Sequence, residues 1–418
     1  MNKHRRSFLQ FVTWGAAVIA FPELVACRDR RPSYADEIWG ADQAYPMGWG
    51  PVGQPQRWEY YSRYRVGNYS GGFERMFKHN RITASRAPSS LIPDPKQIRY
   101  RWGFGLRSVG DYLDQWPVTG LLIARKGRIL HEEYRFGRSA EMRLTSWSMA
   151  KSVTSLLFGI AIDKGLIKSL DDMPQFYVPS LQGTLHGQIK IRHLLNMSSG
   201  ANVLHERDPP RIDVPAFLGQ ASARTLGTDL EQVVRGCRDV MEQPGIRYNY
   251  NELCPLTLGM VLRAVSQMSL AQFTQQNLWQ TIGAESDATW LTDSLGKEYN
   301  CVGFAARLRD WARLGQLVAQ RGEMEGRQIV SGAWIDDCAT HGSQDAQVRF
   351  GVMQPDMGYK NFFWHPRANG AWLMMNGHHG QRVLVDRASQ TVLVQTAVGP
   401  EGAWLKEFFG LFEAAIES

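Results

Sequence analysis

The run Ser146-Trp147-Ser148-Met149-Ala150-Lys151-Ser152 leads straight into the apolar stretch Val153 to Ile167. Ser148 and Lys151 are three residues apart, so on a helix they share a face and their side chains can meet. The apolar residues after them, Val153, Leu156, Leu157, Ile160 and Ala161, recur at helical spacing and on nearly all sides, which predicts a buried helix ending at Gly165. A serine hydroxyl becomes a useful nucleophile only when a neighbour takes its proton, and a lysine kept neutral by burial and positive surroundings can do so. The N–H groups at a helix start suit an oxyanion. Spacing alone is weak, since a Ser-x-x-Lys pair arises by chance roughly once or twice in a chain of this length. Ser294-Leu295-Gly296-Lys297 repeats it in a polar stretch that no buried helix follows.

Outward from this helix, Thr119 to Ala124 and Ile129 to Tyr134 are β-rich runs around a glycine-containing turn and predict a hairpin. Residues 170–299 alternate helical patterns, such as Ile191 to Leu195 and Leu256 to Val265, with polar loops. Phe304 to Leu308 is expected to open a helix running through Leu317. Arg382 to Asp386 and Thr391 to Gln395 alternate as strands, and Trp404 to Ile416 is an amphipathic helix. Strands near both ends therefore need one another. The expectation is an α/β domain from residues 116–169 and 300–418, with a mostly helical domain, 170–299, inserted between its halves.

Two further stretches could complete a site around Ser148. Pro244-Gly245-Ile246-Arg247-Tyr248-Asn249-Tyr250-Asn251 delivers two tyrosines from a turn, and a phenol beside a lysine ammonium can have its pKa lowered and carry protons. Asn376-Gly377-His378-His379-Gly380-Gln381 leads into a strand; its glycines allow close backbone approach, and its edge can offer an N–H to an oxyanion. Neighbouring histidines on a strand would point to opposite faces, which argues against joint chelation of a metal. No metal site, cofactor or phosphate-binding loop is expected.

The apolar fraction of 44% and charged fraction of 21% are those of a globular protein. A net charge of +7 raises nucleic-acid binding, but the basic residues are scattered and form no recognisable binding motif. The first 26 residues read as an export leader: Arg5-Arg6 with Phe8-Leu9 resembles a twin-arginine signal, and Leu24-Val25-Ala26-Cys27 resembles a lipobox. The expectation is a lipid-anchored protein of the bacterial periplasm or outer membrane, attached through Cys27. Residues 27–115 read as an irregular extension wrapped on the main body. Cys237, Cys254, Cys301 and Cys338 allow three full disulfide pairings or free thiols.

Ser148-x-x-Lys151, the tyrosine turn, His193-Leu194-Leu195-Asn196-Met197-Ser198-Ser199-Gly200 and Gly377-His378-His379-Gly380-Gln381, in that arrangement, resemble the serine β-lactamase and penicillin-binding superfamily. The similarity is greatest to its class C-like branch of esterases and 6-aminohexanoate-dimer hydrolases. The resemblance implies a β-lactamase-like α/β sandwich, an antiparallel sheet flanked by helices with a mostly helical insertion. It implies an ester or amide hydrolase with Ser148 as acylated nucleophile, Lys151 as base and Tyr250 in proton transfer. The backbone N–H groups of Ser148 and Gln381 would form the oxyanion hole; Tyr248, Asn251, His378, His379 and Gly380 would line the substrate site. Two positions depart from the pattern. Glu252 replaces the asparagine of the usual Tyr-x-Asn, and His378 stands where β-lactamases carry a lysine, which argues against efficient β-lactam hydrolysis. The alternatives are a β-lactamase or D,D-peptidase acting on cell-wall-like amides, and a catalytically silent envelope-binding protein.

Overall fold

The computed structural model describes residues 78–418 apart from 136–137, 204–228, 350, 352–356 and 398–403. The leader, Cys27 and the extension up to residue 77 lie outside the described residues.

Four short strands open the described chain, β1 (His79–Ile82), β2 (Ile92–Pro93), β3 (Arg99–Trp102) and β4 (Gly105–Ser108), followed by helix α1 (Val109–Gln115). The described part of the expected irregular extension is thus largely regular; strands of two to four residues are too short to show a period. The predicted hairpin is β5 (Val118–Arg125) and β6 (Arg128–Tyr134). β7 (Leu144–Thr145) then delivers the chain to α2 (Met149–Asp163).

The inserted region holds α3 (Ile191–Leu195), α4 (Leu230–Gly236), α5 (Leu253–Ser266) and α6 (Leu270–Thr274), and ends in strand β8 (Ala288–Leu291). After it come β9 (Phe304–Ala306), α7 (Leu308–Ala319), the minor hairpin β10 (Glu323–Met324) and β11 (Arg327–Gln328), and α8 (Gly332–Ala339). The chain closes with β12 (Gly358–Lys360), β13 (Phe363–His365), β14 (Trp372–Gly377), β15 (Gln381–Asp386), β16 (Thr391–Ala397) and α9 (Leu405–Glu417).

The main sheet runs β12-β13-β14-β15-β16-β5-β6-β2 and is antiparallel except for the β2–β6 edge pair. β16 pairs with β5 from Thr391↔Arg125 to Ala397↔Val118, so the two ends of the domain close on each other as expected. Both faces are covered. Leu122, Ala124, Val383, Val385, Val392 and Val394 enter the core beneath α2 and α7. The residues between them, Leu121, Ile123, Leu384 and Leu393, enter a second core with Tyr112 of α1 and Phe408 and Phe412 of α9. This is the period-two division of a sheet buried on both sides.

A second sheet, β1-β8-β9-β7, carries the chain into Ser148 and the start of α2. The expected helix from Phe304 was wrong at its start: Phe304–Ala306 is a fully buried strand paired with β7 and β8, and the helix begins at Leu308. Three apolar residues cannot by themselves distinguish strand from helix.

Helix α2 is buried from Met149 through Ala161 and ends as predicted, with Gly165 at φ +69° and the Leu166 N–H donating to Ala161 O. Its Gly159 faces Trp334 of α8, and a Cβ there would lie 2.4 Å from the indole. Gly159→Ala would gain about 1 kcal/mol of helix propensity. Overpacking a rigid core costs about 1–3 kcal/mol. We therefore expect a net loss of stability in urea unfolding, with an unchanged m-value.

Burial holds the His186 imidazole near pKa 4, below its ordinary value, so the folded protein binds it neutral. Such a group contributes stability above the unfolded pKa and loses it as pH falls from about 6.5 toward the folded value, by about 1.4 kcal/mol per pH unit. His186→Leu is expected to flatten the acid side of a stability-versus-pH curve over that window.

Candidate active site

β7 continues past its last residue: the Ser146 N–H donates to Phe304 O at 2.8 Å, extending the pairing toward the helix start. Trp147 then adopts φ +46°, a left-handed conformation unusual for a bulky residue. That turn reverses the chain and places Ser148 at the N-cap of α2. A serine there ordinarily spends its oxygen on a backbone N–H. Ser148 makes no such bond; its Oγ instead accepts from Lys151 Nζ at 3.1 Å. Met149 and Ala150 N–H donate back to Ser146 and Trp147, so the first turn is tight.

Lys151 is 1% exposed. Its Nζ also donates to Cys301 O at 3.1 Å and lies 2.7 Å from Glu252 Oε2. The Glu252 contact is an ion pair at this distance, and the Cys301 side chain also reaches the Glu252 carboxylate. The expectation of a neutral lysine in positive surroundings is therefore overturned. Burial alone would press the ammonium down, but the Glu252 charge, aided by Tyr250 and Cys301, outweighs it and holds Lys151 well above the ordinary lysine value. The other Ser-x-x-Lys has different surroundings: Lys297 Nζ pairs with Glu231 at 3.2 Å and is partly exposed.

Tyr250 arrives from the turn before α5, and Lys151 Nζ sits 4.7 Å from its ring centre. The phenol is held above its ordinary pKa because enclosure outweighs the lowering influence of Lys151 and of hydrogen bonds with Lys151 and Ser148. The net shift is thus opposite to the one expected, and Tyr250 is a phenol at neutral pH. Behind it stand Tyr248, Tyr359 and Trp364, with ring centres 5.1–6.4 Å apart. Tyr248 is a wall residue of this box. Tyr359 and Trp364 come from β12 and β13 and carried no signal in the sequence.

The tyrosine turn rests on the His193 to Gly200 segment. Asn249 N–H donates to Met197 O at 2.7 Å, and its side chain donates to Ala201 O and Val203 O. Gly245 N–H donates to Ser198 O, and a Cβ on Gly245 would meet the His193 ring at 2.6 Å. Asn251, expected to line the substrate site, is 2% exposed and serves the fold: Oδ1 accepts from Cys254 N–H at 3.2 Å and Nδ2 donates to Asn249 O at 2.8 Å, capping α5. Glu252 is the residue the sequence reading missed. Its departure from Tyr-x-Asn was the available signal.

His378 to Gly380 form a tight turn between β14 and β15, not the start of a strand, so alternation does not apply to the two histidines. His378 is exposed and meets Trp147 edge-on, with centres 5.4 Å apart. The side chain of His379 lies outside the described residues. Gly380, at φ +91°, faces Trp404, where a Cβ would approach to 2.5 Å; its tie is to α9. The Gln381 N–H donates to His378 O, and its side chain to Ala397 O at 2.6 Å. The second oxyanion donor assigned to Gln381 is therefore already engaged. Gly377 also lies against the Ser146 to Ser148 segment: a Cβ there would fall 2.2 Å from Ser146 O. The four cysteines Cys237, Cys254, Cys301 and Cys338 are buried thiols outside any disulfide among the described residues.

The described chain thus brings together a serine freed from capping, a lysine in contact with it and a tyrosine over that lysine, on a sheet-and-helix sandwich with a helical insertion. A sequence model of the beta-lactamase family matches residues 109–402, and the chain belongs to that family of serine hydrolases. The 6-aminohexanoate-dimer hydrolase of Paenarthrobacter ureafaciens is 24% identical over 301 residues, 69% of this chain and 74% of that protein. A Bacillus anthracis structure described as a candidate 6-aminohexanoate-dimer hydrolase superposes with a TM-score of 0.73 at 19% identity, over 85% of this chain and 94% of that one. A family VIII carboxylesterase gives 0.56 at 16% identity, over 74% and 95%.

Because Gly377 has φ −126°, alanine is allowed there by its backbone and opposed by Ser146 O, Gln381 Cβ and Trp147 Cβ. Gly377→Ala is expected to reduce ester hydrolysis at least about tenfold, the scale of displacing a nucleophile by a fraction of an ångström, with a much smaller change in thermal midpoint.

Proposed function

We propose that this protein cleaves an ester or a linear amide through an acyl-enzyme on Ser148. The observation that carries this reading is the Ser148 Oγ, released from capping and 3.1 Å from Lys151 Nζ at the start of a buried helix. Lys151 and Tyr250 carry the proton traffic between nucleophile, leaving group and water. One oxyanion donor is the Ser148 N–H at the helix start. The Gln381 N–H, expected as the second donor, is engaged by His378 O.

The substrate is proposed to be a short acyl ester or a linear amide, by analogy with the Paenarthrobacter ureafaciens relative. The aromatic box of Tyr248, Tyr250, Tyr359 and Trp364 offers an apolar wall to the acyl part. His378, in place of the β-lactamase lysine, disfavours a substrate held by its carboxylate. For location, the leader and Leu24-Val25-Ala26-Cys27 support a lipid-anchored periplasmic or outer-membrane protein.

Ser148→Ala should abolish both fluorophosphonate labelling and hydrolysis of short p-nitrophenyl esters; full activity in that variant would refute the reading. Tyr250→Phe is expected to lower turnover by about 10²–10⁴, the usual contribution of a general acid–base group. A panel of esters, linear amides and nitrocefin orders the substrate classes, with nitrocefin expected to be the poorest. Mass analysis of the mature N-terminus should find a lipid on Cys27.

A further inference from the structure

Glu252 occupies a place the acyl-transfer chemistry does not explain. It lies in the first turn region of α5, next to a cap made by Asn251, and its carboxylate is turned onto Lys151 Nζ with side-chain exposure of 12%. A carboxylate held that close to a buried ammonium costs desolvation that its pairing must offset. Around Nζ stand Ser148 Oγ, Cys301 O, Glu252 Oε2 and the Tyr250 phenol, an oxygen-rich shell suited to an ammonium. An ammonium has no lone pair with which to take the serine proton. It can do so only by giving up one of its own at the same time.

We propose that Glu252 is the positioning residue that accepts, through Lys151, the proton lost by Ser148 on acylation. As the Ser148 Oγ–carbon bond to the acyl group forms, the Oγ–H bond breaks and its proton moves to Nζ. One of the Nζ protons passes to Glu252 Oε2, so lysine remains an ammonium and the carboxylate becomes a carboxylic acid. When the tetrahedral intermediate collapses, the bond to the leaving alkoxide or amine breaks and the proton returns along the same path to it. Deacylation repeats the sequence with water as nucleophile and Ser148 as the group reprotonated. Atoms and charge balance without any further reactant. The inference rests on acylation at Ser148 as proposed above.

The ionisable groups facing the pair are Ser148 and Lys151 of the α2 start, Tyr248 and Tyr250 of the tyrosine turn, Cys254 of α5, Cys301 before β9 and Tyr359 of β12. Burial holds the phenols and thiols above their ordinary values, and the carboxylate in contact with Lys151 Nζ is that of Glu252, at 2.7 Å.

The experiment measures the acylation burst with a p-nitrophenyl ester from pH 6 to 10 in wild type, Ser148→Ala, Glu252→Gln and Glu252→Asp, alongside thermal melts. Wild type is expected to acylate at a rate that is level from pH 7 to 10. Glu252→Gln should be slower by about 100-fold at pH 7, as for loss of an acid–base group, and should recover as pH rises, because Lys151 must then shed its own proton to act. Glu252→Asp keeps a carboxylate at shorter reach and should give an intermediate rate with the level wild-type profile. A Glu252→Gln variant that acylates as fast as wild type at pH 7, or slower by a factor independent of pH, overturns the relay while leaving the Ser148 reading intact. If Glu252→Gln fails to melt cooperatively, the Asp variant decides: a rate that climbs with pH overturns the relay. Wild type without a Ser148-dependent burst overturns both proposals.

Discussion

A fully buried ammonium must be surrounded by acceptors, and Lys151 obtains them from its own helix and from two remote parts of the chain. Ser148 is on its own helix, Cys301 O lies on the loop before β9, and Glu252 is at the head of α5. Losing any one partner would strand charge in a low-dielectric interior, where an uncompensated ion costs several kcal/mol. The requirement explains the detail around it. Ser146 is zipped to Phe304, so the nucleophile and the Cys301 loop cannot drift apart. Asn300, next to Cys301, donates to Pro255 O of α5, and its carbonyl accepts from Thr154 of α2. The sheet edge, the buried helix and the insertion meet at one nitrogen atom.

The large features were legible because they are long and periodic. The β5–β6 hairpin, α2 with its Gly165 cap, the β15–β16 pair and α9 each present a clear two- or 3.6-residue period. The small sheet was not legible, since β7 has two residues and β9 three, and their identity as strands is settled by their partners. At the site, Ser148, Lys151 and Tyr250 could be found because a helix face and a turn bring them together. Glu252 could not be placed, because its contact with Lys151 spans a hundred positions and depends on how α5 docks. Asn251, Gly380 and Gln381 show the converse: residue types suited to binding substrate are here spent on a cap, a close approach to Trp404 and a backbone bond.

Electrostatics divides the labour among the groups. Enclosure raises the Tyr250 phenol, while the Glu252 carboxylate beside Lys151 outweighs burial and raises the lysine. This differs from a site that relies on a neutral amine, and the difference follows from one residue. Trp147 adds a mechanical constraint: a left-handed tryptophan beside the nucleophile stores about 1–2 kcal/mol and persists because Ser146, Gly377 and His378 hold it from both sides.

The closure of β16 on β5 bears on how the molecule comes into being. Val118 and Ala397 are neighbours in the sheet yet nearly three hundred residues apart along the chain, so the pairing carries a large loop-closure entropy and a high contact order. A nascent chain emerging from the ribosome can build the hairpin and α2, but the sheet that supports them stays open until the last strand has been made. The reactive centre therefore comes into existence late, as a property of the finished polypeptide, and a truncated product would expose the apolar edge of β5 to aggregation.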